Sequence, residues 1–272
     1  MTEASDRDNS PSMPDIELPA FEPTTGIPKR IYQTCADPER LPRKILRNIR
    51  RMRERNPGWS HRVFSDADIE RWIDARYGDR VLGIYRMIRP AYGAARADLF
   101  RYLLMYAEGG VYLDIKSTAK EPLDQVLRPD ESYVLSHWNQ QRFPEWGITD
   151  TPGIPALGEF QQWHIVAAAG HPFLRAAILL VLGNILNYDE SRDGIGQRAV
   201  LLVTGPWAYT QAIVPLLDTA PHRLVEIDKD FGFEYTIYWR YRHIRLFKRH
   251  YSHLTEPLVS SQRAHRHRGQ DG

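Results

Sequence analysis

Cysteine is nearly missing from this chain. Cys35 is the single such residue in 272, so no disulfide can close within it, and a reducing compartment suits it. Long apolar runs are missing as well: the longest, near Ala176 to Leu182, is far too short to cross a bilayer. The N-terminus is polar and acidic, not a basic region followed by an apolar one, so no export signal is read there. These features lead us to expect a soluble, cytoplasmic protein, attached at most to the inner face of a membrane. An excess of charge of one sign is also lacking. With 36 Lys and Arg against 34 Asp and Glu the formal charge is +2, which excludes a globally basic nucleic-acid binder. Neither an internal repeat nor the Cys and His spacing of a zinc site is found.

What is present suits one globular domain. The composition, 42% hydrophobic and 26% charged, is ordinary, and the length allows a substantial core. Residues 1–26 mix Ser, Asp, Glu and Pro with few large apolar groups and read as a disordered leader. The domain is expected over 27–258 and a disordered tail over 259–272. Lys29 to Thr34 reads as its first strand. RKILRNIRRMRER, from Arg43 to Arg55, sets Ile45, Ile49 and Met52 on one helical face among arginines. That basic face is either a solvated surface or a contact for phosphate or an acidic membrane. Asn56-Pro57-Gly58 then turns, Trp59 to Phe64 reads as a strand, and Ser65 can cap a helix through Ile69, Trp72 and Ile73. The alternation of strand and helix predicts an α/β domain with a mixed, mostly parallel sheet, Rossmann-like in kind.

The chain is organised around Tyr92 to Pro122, where apolar segments carry charges that a core would otherwise reject. Leu99, Tyr102, Leu103 and Tyr106 recur at helical spacing, with Phe100 and Leu104 widening the apolar surface, so this helix should be buried on most sides. Gly109-Gly110 stops it. Val111 to Ile115 follows as a strand, with Val111, Leu113 and Ile115 on one face and Tyr112, Asp114 and Lys116 on the other. Asp114 thus stands at the carboxyl end of a core strand, where open α/β sheets bind ligands. Asp98 and Arg101, three apart on the helix, can meet each other or a ligand there. The alternative is a structural ion pair and a turn residue.

Further on, Tyr133 to Leu135 and Phe160 to Ala168 read as strands. His171-Pro172 opens a core helix through Leu174, Ile178, Leu179, Leu182 and Ile185, and Tyr209 to Leu217 reads as another helix. Between the strands, the irregular stretch from His137 to Gly158, with Trp138, Asn139 and Trp146, is either a sugar-stacking wall or an ordinary surface loop. From Tyr238 to His253 aromatics interleave with basic residues. This patch is a solvated helix and tail, a phosphate or membrane contact, or a base-stacking surface.

Taken together, Ile27 to Thr34, Asn56-Pro57-Gly58-Trp59, Tyr92 to Tyr102 and Gly109 to Asp114 resemble the glycosyltransferases that bind sugars through an Asp-x-Asp motif, family 32 in particular. That family includes the yeast initiating mannosyltransferase and bacterial capsule and polysaccharide enzymes. The similarity runs from about Ile27 through Thr204-Gly205-Pro206-Trp207 to about Ser252. It implies a glycosyltransferase A type fold and transfer, with retention, from a UDP- or GDP-linked sugar to a polysaccharide, glycolipid or other glycan acceptor. It implies catalytic roles for Asp98, Arg101 and Asp114. It also implies donor contacts from Gln33, Thr34, Tyr92, Asp98, Arg101, Asp114 and Lys116. Trp138, Asn139 and Trp207 become candidates for lining the sugar or acceptor. Mn2+ or Mg2+ would be held by Asp114, with His250 or His253 as candidate further ligands; no nucleic acid is expected as partner.

One position departs from the motif: Lys116 stands where the second Asp belongs. A protonated lysine cannot ligate a cation. Either Lys116 itself lies on the diphosphate as a point charge, or Asp114 holds the metal with a carboxylate or histidine from elsewhere. Two rival readings remain. A phosphohydrolase with Asp114 as nucleophile would want an acid where Lys116 stands. A carbohydrate- or polyanion-binding protein could keep the fold without the chemistry.

Overall fold

The computed structural model describes residues 16–144, 146–238 and 254–260. Strand β1 (Arg30–Thr34) leads through a 3-10 turn to helix α1 (Arg43–Arg55), then β2 (Ser60–Phe64), α2 (Asp66–Met87), α3 (Gly93–Glu108) and β3 (Gly110–Leu113). β4 (Thr118–Ala119), α4 (Leu123–Val126), β5 (Tyr133–Leu135) and β6 (His164–Ala167) form the middle of the chain. The helical second half runs α5 (Pro172–Leu186), α6 (Glu190–Asp193), α7 (Gly196–Val203) and α8 (Pro206–Ile213). It closes with β7 (Arg223–Leu224), α9 (Ile227–Asp230) and β8 (Phe233–Glu234).

Local chemistry explains the boundaries. Ser65 and Asp68 cap α2 reciprocally, each side chain accepting the other's backbone N–H at 3.1 Å. Pro172 sits in the first turn of α5, where its missing N–H costs nothing, and His171 Nδ1 accepts from the Phe173 N–H. Gly78, at φ +75°, breaks α2 in its middle, a kink that the helical apolar pattern did not announce.

Six strands form one sheet in the order β2-β1-β3-β6-β5-β7. β1 runs parallel to β2 and β3, β6 is antiparallel to β3 and β5, and β5 is parallel to β7. The sheet is therefore mixed with parallel pairs in the majority, an α/β fold as expected. Period-2 alternation divides the core between its faces. Ile31, Val111, Leu113, Val134 and Val166 join Met52, Trp59 and Phe231 on one side. Tyr32, Tyr112, Tyr133 and Ile165 join α2, α3, α5, α7 and α8 on the other. α3 is buried nearly all round, as its sequence predicts.

Three expectations are corrected. The leader does not stay out of the fold: Ile16 and Leu18 are buried, and the Phe21 ring stands edge-on to Tyr77 and Tyr106 at 5.5 and 5.4 Å. A few apolar groups suffice to hold an extended segment when the surface receiving them is aromatic. The strand expected over Phe160 to Ala168 is ordered as such only over His164–Ala167, because Phe160 forms an isolated bridge to His137. The alternation expected through Lys116 stops at Leu113; Asp114 to Ser117 is a turn closed by the Ser117 N–H on the Asp114 carbonyl. The stretch Gly196–Leu216 is, by length and composition, apolar enough to cross a membrane. Here Thr204 and Gly205 separate its two helices, and both contribute to the core.

At the far end of the chain, Val259 pairs with Ile88, and Leu258 and Met87 carbonyls accept from Arg89 and Ser260. The ordered domain thus passes the expected end at 258.

Candidate functional site

Gly109 and Gly110 set the site up. They hold φ of +61° and +109°, and a Cβ on Gly110 would lie 2.6 Å from the Arg30 carbonyl oxygen, so only glycine lets β3 start against β1. β3 then delivers Asp114 to its carboxyl end, in the interior of the sheet between β1 and β6. The Asp114 N–H donates to the Trp163 carbonyl, and its own carbonyl accepts from Gln33 Nε2 at 3.2 Å.

From there inward the charges alternate. Lys116 Nζ lies 2.8 Å from Asp114 Oδ2, Arg101 Nη2 lies 3.1 Å from Asp114 Oδ1, and the same Nη2 lies 3.2 Å from Asp98 Oδ1. Asp98 also accepts from Gln162 Nε2 at 3.0 Å and Thr204 Oγ1 at 3.1 Å. Arg101 Nη1 donates to the Gln162 carbonyl at 2.7 Å and to its side-chain oxygen, and the guanidinium stands 4.9 Å from the centre of the Tyr112 ring. The inner pair is sealed, with side chains 5–6% exposed; Asp114 and Lys116 are 18% and 15% exposed and form the open end. Sequence reasoning brought Asp98, Arg101, Asp114 and Lys116 forward, and the structure joins them in one ladder.

Burial and pairing compete in the titration of these groups. Burial pushes the Asp98 carboxyl up to about 6, against the pull of Arg101, Gln162 and Thr204. For Lys116, burial works toward loss of the proton, but Asp114 and Tyr235 outweigh it and the net direction is up. Arg101 moves up likewise, burial being outweighed by Tyr112, Asp114 and Asp98. Both cations keep their charge. His164, next to Trp163, is pushed down to about 3 by burial and is neutral, with Nε2 at 2.9 Å from Ser136 Oγ.

Beside the open end lies a cavity of roughly 1110 Å³, lined among others by Trp138, Asn139, Phe143, Trp163, Tyr235 and Tyr238. Its aromatic rings pack edge to face: Trp138 on Tyr235 at 5.2 Å and Trp163 on Tyr235 at 5.6 Å. Two residues tie cavity to ladder. Trp163 accepts the Asp114 N–H while its ring faces the cavity, and the Tyr235 ring lies 4.4 Å from Lys116 Nζ. Among the described residues the buried Trp163 indole N–H has no partner. The irregular segment after His137 therefore supplies a wall of the cavity through Trp138 and Asn139.

The remaining sequence candidates separate. Gln33 and Thr34 are buried behind the site: Gln33 braces the Asp114 backbone and the His61 ring, and Thr34 Oγ1 meets the Tyr112 hydroxyl at 3.0 Å. Tyr92 is corrected. Its side chain is fully buried, and its hydroxyl donates to the Glu256 carbonyl and accepts from the Gly196 N–H, so it ties the chain end to α7 instead of lining a ligand space. Trp207 does not line the cavity; it bonds Glu159, whose carboxylate also accepts from Trp138 Nε1. His250 and His253 lie outside the described residues. The Cys35 thiol is pushed up to about 11 by burial, with Asp66 and Asp37 adding to the shift.

Glu159, Gln162, Thr204 and Tyr235 were not picked out as ligands by the sequence. The available signals were the paired Gln161-Gln162 just ahead of an apolar run and the Thr204 turn.

The ladder does not suit a divalent cation. Both Asp114 oxygens accept from cations, both Asp98 oxygens accept hydrogen bonds, and no cluster of three His, Cys, Asp or Glu is found among the described residues. No step below is routed through a metal.

Comparison with known proteins relates the chain to glycosyltransferases. The model of the glycosyltransferase sugar-binding region containing the DXD motif matches residues 42–133, the stretch holding Asp98, Arg101 and Asp114. Those residues are similar to the sugar-binding region of such glycosyltransferases. An initiation-specific alpha-1,6-mannosyltransferase of Candida albicans is 27% identical over 217 residues, 71% of this chain and 54% of that one. Its Schizosaccharomyces pombe counterpart is 28% identical over 71% of this chain and 49% of its own. Inositol phosphoceramide mannosyltransferase 1 of the same yeast is 25% identical over 74% of this chain and 55% of its own. The chain thus spans about half the length of these curated relatives. A solved structure, PaToxG glycosyltransferase, superposes with a TM-score of 0.51 at 16% identity, over 73% of this chain and 74% of that one, and shares the fold.

Proposed function

We propose that this protein is a nucleotide-sugar-dependent glycosyltransferase. Its donor is held at the Asp98–Arg101–Asp114 ladder and its acceptor glycan in the aromatic cavity. The observation that carries this reading is the charge ladder at the carboxyl end of β3, sited inside the sugar-binding region and opening beside a cavity walled by indole and phenol rings. Buried charges are expensive unless a function or tight pairing retains them. In the reaction the bond from anomeric carbon to diphosphate oxygen breaks and one from that carbon to an acceptor hydroxyl forms. The acceptor's hydroxyl proton passes to the departing nucleoside diphosphate, which leaves with the bonding pair. Such chemistry asks mainly for positioning and for stabilisation of the departing charge. Arg101, fixed by Asp98, Gln162 and Tyr112, is the preorganised element; Gln33 and Thr34 brace the strand ends beneath it.

The mannosyltransferase relatives support mannose as the transferred sugar and a glycan or glycolipid as acceptor. Retention at the anomeric carbon and a role in polysaccharide assembly belong to the same reading and rest on the family likeness, while a site at the cytoplasmic face of a membrane rests on the near absence of cysteine. The test is chromatographic. UDP- and GDP-linked sugars are incubated with the protein, and release of nucleoside diphosphate is followed for wild type and Asp114→Asn. Release from one donor by wild type alone supports the proposal. Carbohydrate binding without release from any donor would favour the non-catalytic reading.

A further inference from the structure

The position that departs from the Asp-x-Asp motif is the position where a cation is already built in. Lys116 Nζ sits 2.8 Å from Asp114 Oδ2. The turn carrying it is pinned from several sides. The Ser117 N–H closes on the Asp114 carbonyl at 2.8 Å, Asn48 Nδ2 holds the Ser117 carbonyl at 2.8 Å, and Ser117 Oγ donates to the Tyr235 carbonyl at 2.8 Å. The Ile237 N–H holds the Lys116 carbonyl itself at 2.9 Å. A lysine on such a turn is not a loose surface chain. Its ammonium carries three donors; Asp114 accepts one and Tyr235 engages another, with its ring centre at 4.4 Å. The charges decide the rest. Asp98 and Asp114 are matched by Arg101 and Lys116, so the ladder is neutral by itself, and its exposed end is the Asp114–Lys116 pair. A metal added there would have to displace a paired ammonium. A diphosphate oxygen would only have to join one.

From this geometry we infer that Lys116 binds the diphosphate of the nucleotide donor in the place of a divalent cation, and that the protein engages its nucleotide without metal. The inference rests on the transferase reading above. Here the ammonium supplies the fixed positive charge, Asp114 orients it, and Arg101 holds Asp114. No co-reactant is needed, since the lysine remains protonated and forms no covalent bond.

Thermal unfolding tests this with UDP and with GDP as the probes, each in EDTA and in manganese, on wild type and Lys116→Met, with each variant's nucleotide-free melting temperature as its own baseline. The expected result is that one nucleotide raises the wild-type melting temperature equally in EDTA and in manganese. Lys116→Met should bind it roughly tenfold to a hundredfold more weakly in both, as loss of a charged hydrogen bond implies. A wild-type shift that EDTA abolishes would overturn the inference while leaving the transferase reading standing. An unchanged shift in Lys116→Met would also overturn it. If neither nucleotide shifts the wild type under either condition, the transferase reading fails and the inference falls with it. The wild-type comparison alone decides the metal question should Lys116→Met not fold.

Discussion

Asp114 is the residue on which two buried cations depend. Asn in its place keeps the shape but leaves Arg101 and Lys116 facing each other across a neutral amide. Removing one partner of a buried ion pair costs about 3 kcal/mol, and urea unfolding of Asp114→Asn should show a loss of that order. Glu159 makes a second case. Burial pushes its carboxyl up to about 7, with Trp138 and Trp207 pulling the other way. Its ordinary value lies at 4.5. Between those two the folded state holds a proton that the unfolded state has released, so stability falls as pH rises through this window and the penalty is complete above it. A shift of this size is worth roughly 3 kcal/mol at most. Glu159→Gln should therefore be more stable than wild type at pH 8 and show a flatter stability profile between pH 5 and 8. At this scale the sequence was informative where charge met an apolar pattern, as with Asp98, Arg101 and Asp114. It was silent on Glu159 and Gln162, whose partners lie across long sequence separations.

Among the elements, the succession of α3, glycine break and β3 was legible because each part carries its own signal: helical apolar spacing, two glycines, then a β-branched and aromatic run. The break is the vulnerable point. Gly110→Ala places a Cβ 2.6 Å from the Arg30 carbonyl at a positive φ, so β3 must shift from β1 or the turn must strain. The expected cost is about 1–3 kcal/mol, read as a lower urea midpoint with an unchanged slope. α1 was legible for the same reason: Ile45, Ile49 and Met52 are buried, and its arginines lie outside. The kink at Gly78 was not, since one glycine within a helical pattern does not show whether the chain passes straight through it.

On the scale of the whole molecule, the fold class followed from alternation, but sheet order did not. β6 enters antiparallel between β3 and β5, a pairing fixed by contacts distant in sequence. The segment from Ile16 to Gly26 was read as outside the domain because its polar residues outnumber its apolar ones. In fact Phe21 packs on Tyr77 and Tyr106, and Thr24 Oγ1 accepts from the Ala169 N–H at 3.0 Å, joining the segment to both α2–α3 and the end of β6. Phe21→Ala should therefore lower global stability by about 2 kcal/mol, less than a fully buried phenylalanine costs, measurable as a drop in melting temperature.

The most direct measurement is a crystal structure of the full chain grown with whichever of UDP or GDP raises its melting temperature. The expected result is a diphosphate at the carboxyl end of β3, within hydrogen-bond reach of Lys116, with its terminal phosphate directed toward the Trp138 and Trp163 cavity. A nucleotide bound elsewhere, for instance on the arginine face of α1, with the Asp114 end unliganded, would contradict it.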